Sequence, residues 1–286
     1  MKKITIAIAM FGLFCCVSCN KYTHEPKIIR NAVKDYDGNK YDAVKIGRQT
    51  WMLTNLRTTH YSDGTPIASG LGEDVHSPAY CEIPGVDIAS HGLLYNWYAA
   101  TRNAVNTDGQ IQGVCPKGWH MPTSEEWQTL VSAVEGHSGG YYNHAASAMA
   151  SQAGWQYYPP INMDSLHRAY DSLALIYDYS TPWNESEDSL MWAEATSYYQ
   201  YCPGANPANN NTSGFSAVPA GIASSTFGAL GIWADFWCSG DCPDLYGCAQ
   251  FVDIYYGNSD VTIYDGKGWL SGKDKFYGLS VRCVKD

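Results

Sequence analysis

Apolar and polar positions alternate near both ends of the chain, and helical spacing is confined to the stretch between. The folded region opens at Val33-Lys34-Asp35-Tyr36-Asp37-Gly38-Asn39-Lys40-Tyr41-Asp42-Ala43-Val44-Lys45-Ile46. Asp-Gly between alternating apolar residues predicts a hairpin there. Gly47-Arg48-Gln49 then turns the chain into Thr50-Trp51-Met52-Leu53, so the start reads as β. A helix is expected over residues 93–100, where Leu93, Leu94, Trp97 and Tyr98 share a face. The strongest helix begins after Pro122. Thr123 caps it, Glu126 completes a capping box, and Trp127, Leu130, Val131 and Val134 follow the helical stripe up to Gly136. A short third helix is expected within residues 144–153. From about Gly214 onward the pattern is short strands and Gly-rich turns, such as Phe227-Gly228, Gly247-Cys248, Tyr256-Gly257 and Asp265-Gly266. The expected class is α+β, with short helices early and strands late.

The N-terminus speaks to the compartment. Lys2 and Lys3 precede an apolar run over residues 4–17, too short for a permanent span and suited to a secretory signal. It ends in Cys16-Val17-Ser18-Cys19, which resembles a bacterial lipobox in which Cys19 becomes the lipidated first residue. An ordinary signal peptide cut nearby is the alternative. The expected organisation is a signal peptide over 1–18, a lipid-anchored tether over 19–33, and one domain over 34–286 carrying an insertion at about 155–206. The expected place is the bacterial outer membrane, held by lipid and exposed at the surface.

Composition narrows the function classes. The 286 residues are 45% hydrophobic and 14% aromatic, and 27 of them are Gly, which excludes a helical bundle and a disordered chain. Only 16% are charged, so the surface relies on Ser, Thr, Asn, Gly and Tyr. Net charge is −10, and between Gly118 and Gly266 one basic residue, Arg168, stands against sixteen acidic ones. Nucleic acid needs clustered Lys and Arg, so no nucleic-acid partner is expected. Of ten cysteines, Cys15 and Cys16 leave with the signal and Cys19 takes lipid. Cys81, Cys115, Cys202, Cys238, Cys242, Cys248 and Cys283 remain, and an oxidising envelope makes them disulfide candidates. Seven is odd, so one thiol is expected to stay free or to pair between chains. Cys238-x3-Cys242-x5-Cys248 reads as a local disulfide loop, with zinc as the alternative.

Several blocks, in order, carry a resemblance. They are Asp35-Tyr36-Asp37-Gly38-Asn39 with Val44-Lys45-Ile46-Gly47-Arg48-Gln49-Thr50-Trp51-Met52, then Gly92-Leu93-Leu94-Tyr95-Asn96-Trp97-Tyr98-Ala99, then Cys115-Pro116-Lys117-Gly118-Trp119-His120-Met121-Pro122-Thr123. Gly214-Phe215-Ser216-Ala217-Val218-Pro219-Ala220-Gly221 and Tyr277-Gly278-Leu279-Ser280-Val281-Arg282-Cys283-Val284-Lys285-Asp286 complete the series. Together they resemble the Fibrobacter succinogenes major paralogous domain, a module of secreted and lipid-anchored bacterial proteins. Pro122-Thr123-Ser124-Glu125-Glu126-Trp127 and the closing Gly278 to Val284 block are also similar to the C-type-lectin-like fold and to formylglycine-generating enzymes. The lectin-like resemblance implies paired terminal strands and a Cys115–Cys283 bridge.

Candidate chemistry is sparse. No Gly-x-Ser-x-Gly turn and no phosphate loop occurs, and no catalytic activity is expected. The formylglycine-generating resemblance makes Cys238 and Cys242 nominal redox candidates without a supporting motif. His120 reads as a backbone hydrogen-bonder, with a ligand role as the alternative. No cofactor is expected. Calcium is the open case, with Asp235, Asp241 and Asp244 as candidate ligands and Asp253 and Asp260 also available. The insertion is rich in aromatics that either build its own core or face a ligand: Trp155, Tyr157, Tyr158, Tyr177, Tyr179, Trp183, Trp192, Tyr198 and Tyr199 among them. Ser165, Ser172 and Ser189 each sit in Asp-Ser-Leu, a pattern similar to an O-glycosylation acceptor. The expected function is non-catalytic binding of a glycan or protein partner, in adhesion or surface assembly. A structural lipoprotein without soluble ligand is the alternative.

Overall fold

A computed structural model of the chain describes residues 26–71, 76–104, 110–135, 144–159, 199–224, 226–243, 246–267 and 272–286. The lipobox with Cys19, the tyrosines and tryptophans at 177, 179, 183, 192 and 198, the three Asp-Ser-Leu serines and Asp244 lie outside those residues. No helix among the described residues is long and apolar enough to cross a membrane.

Strands β1 (Lys27–Lys34), β2 (Lys40–Ile46) and β3 (Gln49–Met52) form an antiparallel meander. The turn predicted at Asp37-Gly38 joins the first two: Asp35 N–H donates to Asn39 O at 3.0 Å, and Gly38 takes a φ of 89° that other residues rarely adopt. β1 corrects the expected tether over 19–33. Its Lys27, Ile29, Arg30 and Asn31 are exposed, so it is an edge strand whose polar face hides it from a hydrophobicity reading.

A second cluster of elements follows: β4 (Ala68–Ser69), β5 (Ala79–Cys81), α1 (Ile88–His91), β6 (Leu94–Tyr95) and α2 (Trp97–Thr101). The helix expected over 93–100 therefore starts later. Leu94 and Tyr95 are spent on pairing with β5, and the side chain of Asn96 accepts from Ala99 N–H as the true cap. Next come β7 (Trp119–His120), α3 (Ser124–Glu135) and α4 (Ala146–Met149). The capping box of α3 is present in both directions: Glu126 N–H donates to Thr123 Oγ1 at 3.1 Å, and Thr123 N–H donates to Glu126 Oε2 at 3.0 Å. Trp127, Leu130 and Val131 are buried along its inner face.

The second half is strands and turns, as the Gly-rich pattern predicts, but not all of the strands are short, since two run for 9 and 8 residues. β8 (Ile222–Ala223) pairs with β9 (Phe227–Gly228). The long hairpin β10 (Trp233–Asp241) and β11 (Cys248–Tyr255) is extended by β12 (Val261–Tyr264) and by β13 (Lys273–Asp274), both on β11. The final strand β14 (Val284–Lys285) enters the first sheet between β3 and β7, giving the order β1-β2-β3-β14-β7. Val284 is paired with both Trp51 and His120, so the two ends of the described chain meet in one sheet. Cys115 is bonded to Cys283 beside that junction, the pairing that the lectin-like resemblance implies.

Alternation along β10 divides the core. Ala234, Phe236 and Cys238 point into a cluster with Trp51, Trp127 and Phe215, whereas Trp237 points the opposite way into a cluster with Leu93, Tyr95 and Leu279. Trp51, Trp97, Trp119 and Trp127 are all buried. The β10–β11 hairpin is thus covered on both faces, and its two ends carry the exposed chemistry.

Candidate functional site

At one end of the hairpin, β10 finishes at Asp241 and the Cys242–Cys248 bridge closes the turn. The local disulfide expected from the cysteine spacing is therefore formed. Tyr246 stands on this tethered turn fully exposed. Lys275, just after β13, donates its backbone N–H to Gly247 O at 3.0 Å and accepts from Trp97 N–H at 2.9 Å. That places its ammonium 4.3 Å from the centre of the Trp97 ring and in an ion pair with Asp241. Opposite, the ring nitrogen Nδ1 of His76 meets Tyr98 Oη at 2.9 Å, with the rings edge to face.

His76, Tyr98, Asp241, Tyr246 and Lys275, with Pro243 and the bridged cysteines, line a cleft of about 560 Å³. Its chemistry is an amphipathic aromatic pair flanking one anion, one cation and an imidazole. Such a set stacks on flat apolar faces while hydrogen-bonding hydroxyl and amide groups.

The opposite end of the hairpin carries the base of the insertion. Tyr158 N–H donates to Gly204 O at 2.9 Å, and Gly204 N–H donates to Tyr256 O at 2.8 Å. Tyr199 stacks on Tyr158 with ring centres 5.9 Å apart, and Tyr256 meets Tyr158 edge on at 5.3 Å. Tyr157 faces solvent. Trp155, expected among the ligand-facing aromatics, instead belongs to the core with Phe215 and Ile254. The insertion thus begins beyond it.

Between the two ends lies a buried acidic pair. Asp235 and Asp253 are directly opposite each other on β10 and β11, and Lys273 forms an ion pair with Asp235. Burial, and then the charge of Asp235, pushes the Asp253 carboxyl up to about 8. Of the candidate calcium ligands, those within the described residues are engaged by other groups. Asp235 is engaged by Lys273 and Asp241 by Lys275, while Asp260 accepts from His144 N–H at 3.0 Å. Among the described residues no three His, Cys, Asp or Glu side chains gather into a metal-holding group.

The family model of the Fibrobacter succinogenes major domain matches residues 44–285. The chain belongs to that family. No curated protein and no solved structure matches it.

Within this Fibrobacter major domain the remaining predicted residues are dispersed. Among the described residues Cys81, Cys202 and Cys238 stand outside the two bridges, where parity alone asks for one such cysteine. Burial pushes the Cys81 and Cys202 thiols up to about 11 and that of Cys238 well above its ordinary value. Cys238 cannot bridge to Cys242 because the latter is bonded to Cys248, and Cys238 points into the core. His120 bonds carboxylates, not backbone: Nε2 meets Glu126 Oε1 at 2.9 Å and Nδ1 meets Asp286 Oδ1 at 2.7 Å. Sequence reasoning missed His76, Tyr246, Lys273 and Lys275. One signal was present for Tyr246, since an aromatic on so short a disulfide loop has no core to enter.

Proposed function

We propose that this domain is a non-catalytic recognition module of the bacterial surface, anchored by lipid at Cys19, with the cleft beside the Cys242–Cys248 turn as its glycan-binding site. The observation that carries the reading is that Tyr246, fully exposed on a covalently tethered turn, lines one cleft with Tyr98, His76 and the Asp241–Lys275 pair. Aromatic faces take the apolar side of a sugar ring, and the charged pair takes its hydroxyls. A tethered turn binds at lower entropic cost than a loose one. Recognition is favoured over turnover because the thiol of Cys238 is buried and protonated and Cys242 is held in a disulfide, which leaves no reactive cysteine pair. Support for a lectin-like architecture comes from the paired terminal strands and the Cys115–Cys283 bridge.

The test is a glycan array probed with the detergent-solubilised full chain and with Tyr246→Ala and Lys275→Ala. Tyr246 is fully exposed, so Tyr246→Ala should keep the fold, and a near-ultraviolet spectrum checks that Lys275→Ala does too. Binding that weakens tenfold or more in each variant supports the site. Binding that survives both variants but is lost when residues 160–198 are excised moves recognition to the insertion. No glycan bound by the intact chain favours a structural lipoprotein.

A further inference from the structure

Lys273, Asp235 and Asp253 form a group that neither the family assignment nor the cleft explains. Asp235 sits in the middle of β10 with its carboxyl 2% exposed, and the Lys273 ammonium contacts its Oδ2. Asp253 is its cross-strand neighbour on β11, and cross-strand side chains on one face lie about 5 Å apart at Cβ. Oδ1 of Asp235 and Oδ1 of Asp253 are both buried and meet no N–H or O–H donor. A proton held on Asp253 and shared with Asp235 satisfies both oxygens at once. Around them the rings are close: Phe251 lies 4.4 Å, Trp233 5.7 Å and Tyr277 6.0 Å from the Lys273 nitrogen. Gly272 makes the approach possible, because a Cβ there would meet Ala249 O at 2.3 Å and hold β13 away from β11.

We propose that this group forms an intramolecular amide between Lys273 Nζ and the side-chain carboxyl of Asp235, with Asp253 as the proton donor. Two charges buried side by side are costly, and moving one proton from Nζ to Oδ2 along their contact replaces them with a neutral amine and a neutral acid. The amine nitrogen then attacks the carboxyl carbon of Asp235, whose oxygen is polarised by the proton of Asp253. The C–N bond forms and one C–O bond of Asp235 breaks. The departing oxygen leaves as water with two of the three original ammonium protons, and Asp253 ends in the state in which it began. No oxidant, reductant or second substrate enters. Asp253 is suited to the role because its raised pKa keeps it protonated at neutral pH. The nearby rings exclude the water that would otherwise solvate the amine and return the reaction. The product would tie β10 to β13 covalently across β11.

The experiment is peptide mapping of the full chain after complete reduction and alkylation, which removes the disulfides from the mass balance. The expected result is a branched peptide joining the Asp235 and Lys273 segments, lighter than their sum by one water, with no tryptic cut after Lys273. Asp253→Asn keeps the amine and the acid but removes the proton donor, and its map should show both segments linear. Lys273→Arg should do the same. Linear Asp235 and Lys273 peptides in the unaltered chain overturn the proposal and leave a buried ion pair. A branched peptide that persists in Asp253→Asn overturns the assignment of Asp253.

Discussion

Arg282 is wholly buried and reads Asn55 with both arms of its guanidinium, donating to Asn55 Oδ1 from Nη2 at 2.6 Å and from Nε at 3.2 Å. Its Nη1 donates to Phe215 O at 2.6 Å, and its plane lies 4.6 Å from the Phe215 ring centre. One side chain thereby joins the closing segment, the loop after β3 and the Gly214-Phe215 block. Arg282→Met would leave an amide oxygen and a carbonyl buried without donors. The expected loss is about 3–5 kcal/mol in urea unfolding. Arg282→Lys should recover less than half of it, since a point ammonium cannot span both acceptors.

The Cys115–Cys283 bridge spans 168 residues, whereas Cys242–Cys248 spans 6. On the chain-entropy account the long closure contributes about 5 kcal/mol and the short one about 2 kcal/mol. Cys115→Ser should therefore lower the unfolding midpoint much more than Cys248→Ser. Equal losses in the two variants would show that the bridges do not act through the unfolded chain.

His120 ties the chain's last residue to the first turn of α3 and gives stability a pH dependence. Burial alone would lower its pKa, but hydrogen bonds to Glu126 and Asp286, and their charges, outweigh it and raise the value above 6.5. A folded pKa above the unfolded one means that this contribution is complete below the unfolded value and is lost as pH rises through the folded value. Unfolding midpoints should fall across that window in the parent protein, and less in His120→Gln. A histidine titration followed by NMR gives the window directly.

Lipidation at Cys19 has a simple readout. Cys19→Ala should release the protein from the membrane fraction and abolish fatty-acid labelling, with the near-ultraviolet spectrum of the folded domain unchanged. A variant that still pellets with membranes and takes label would place the anchor elsewhere.

Much of the scaffold was legible from local pattern, because its causes are local. The Asp37-Gly38 turn, the Thr123–Glu126 capping box and the buried stripe of α3 depend on residues a few positions apart. The ordered motif blocks marked the family. β1 was not legible, since an edge strand with exposed Lys27, Arg30 and Asn31 carries the composition of a tether. The helix over 93–100 was misjudged because Leu94 and Tyr95 are drawn into a sheet by partners elsewhere in the chain.

The exposed chemistry was decided by tertiary structure, and charge shows why. From Gly118 to Gly266 the sequence is acidic with a single Arg168, which reads as a bare anionic surface or as metal ligands. Folding brings Lys273 and Lys275 back from beyond that stretch to Asp235 and Asp241, so the carboxylates are matched in space by cations that follow them in sequence. Short-range pattern determined which residues turn, cap and alternate. Which carboxylate meets which lysine, and that Tyr246 shares a cleft with Tyr98, depends on contacts between distant segments, and a one-dimensional period cannot encode those.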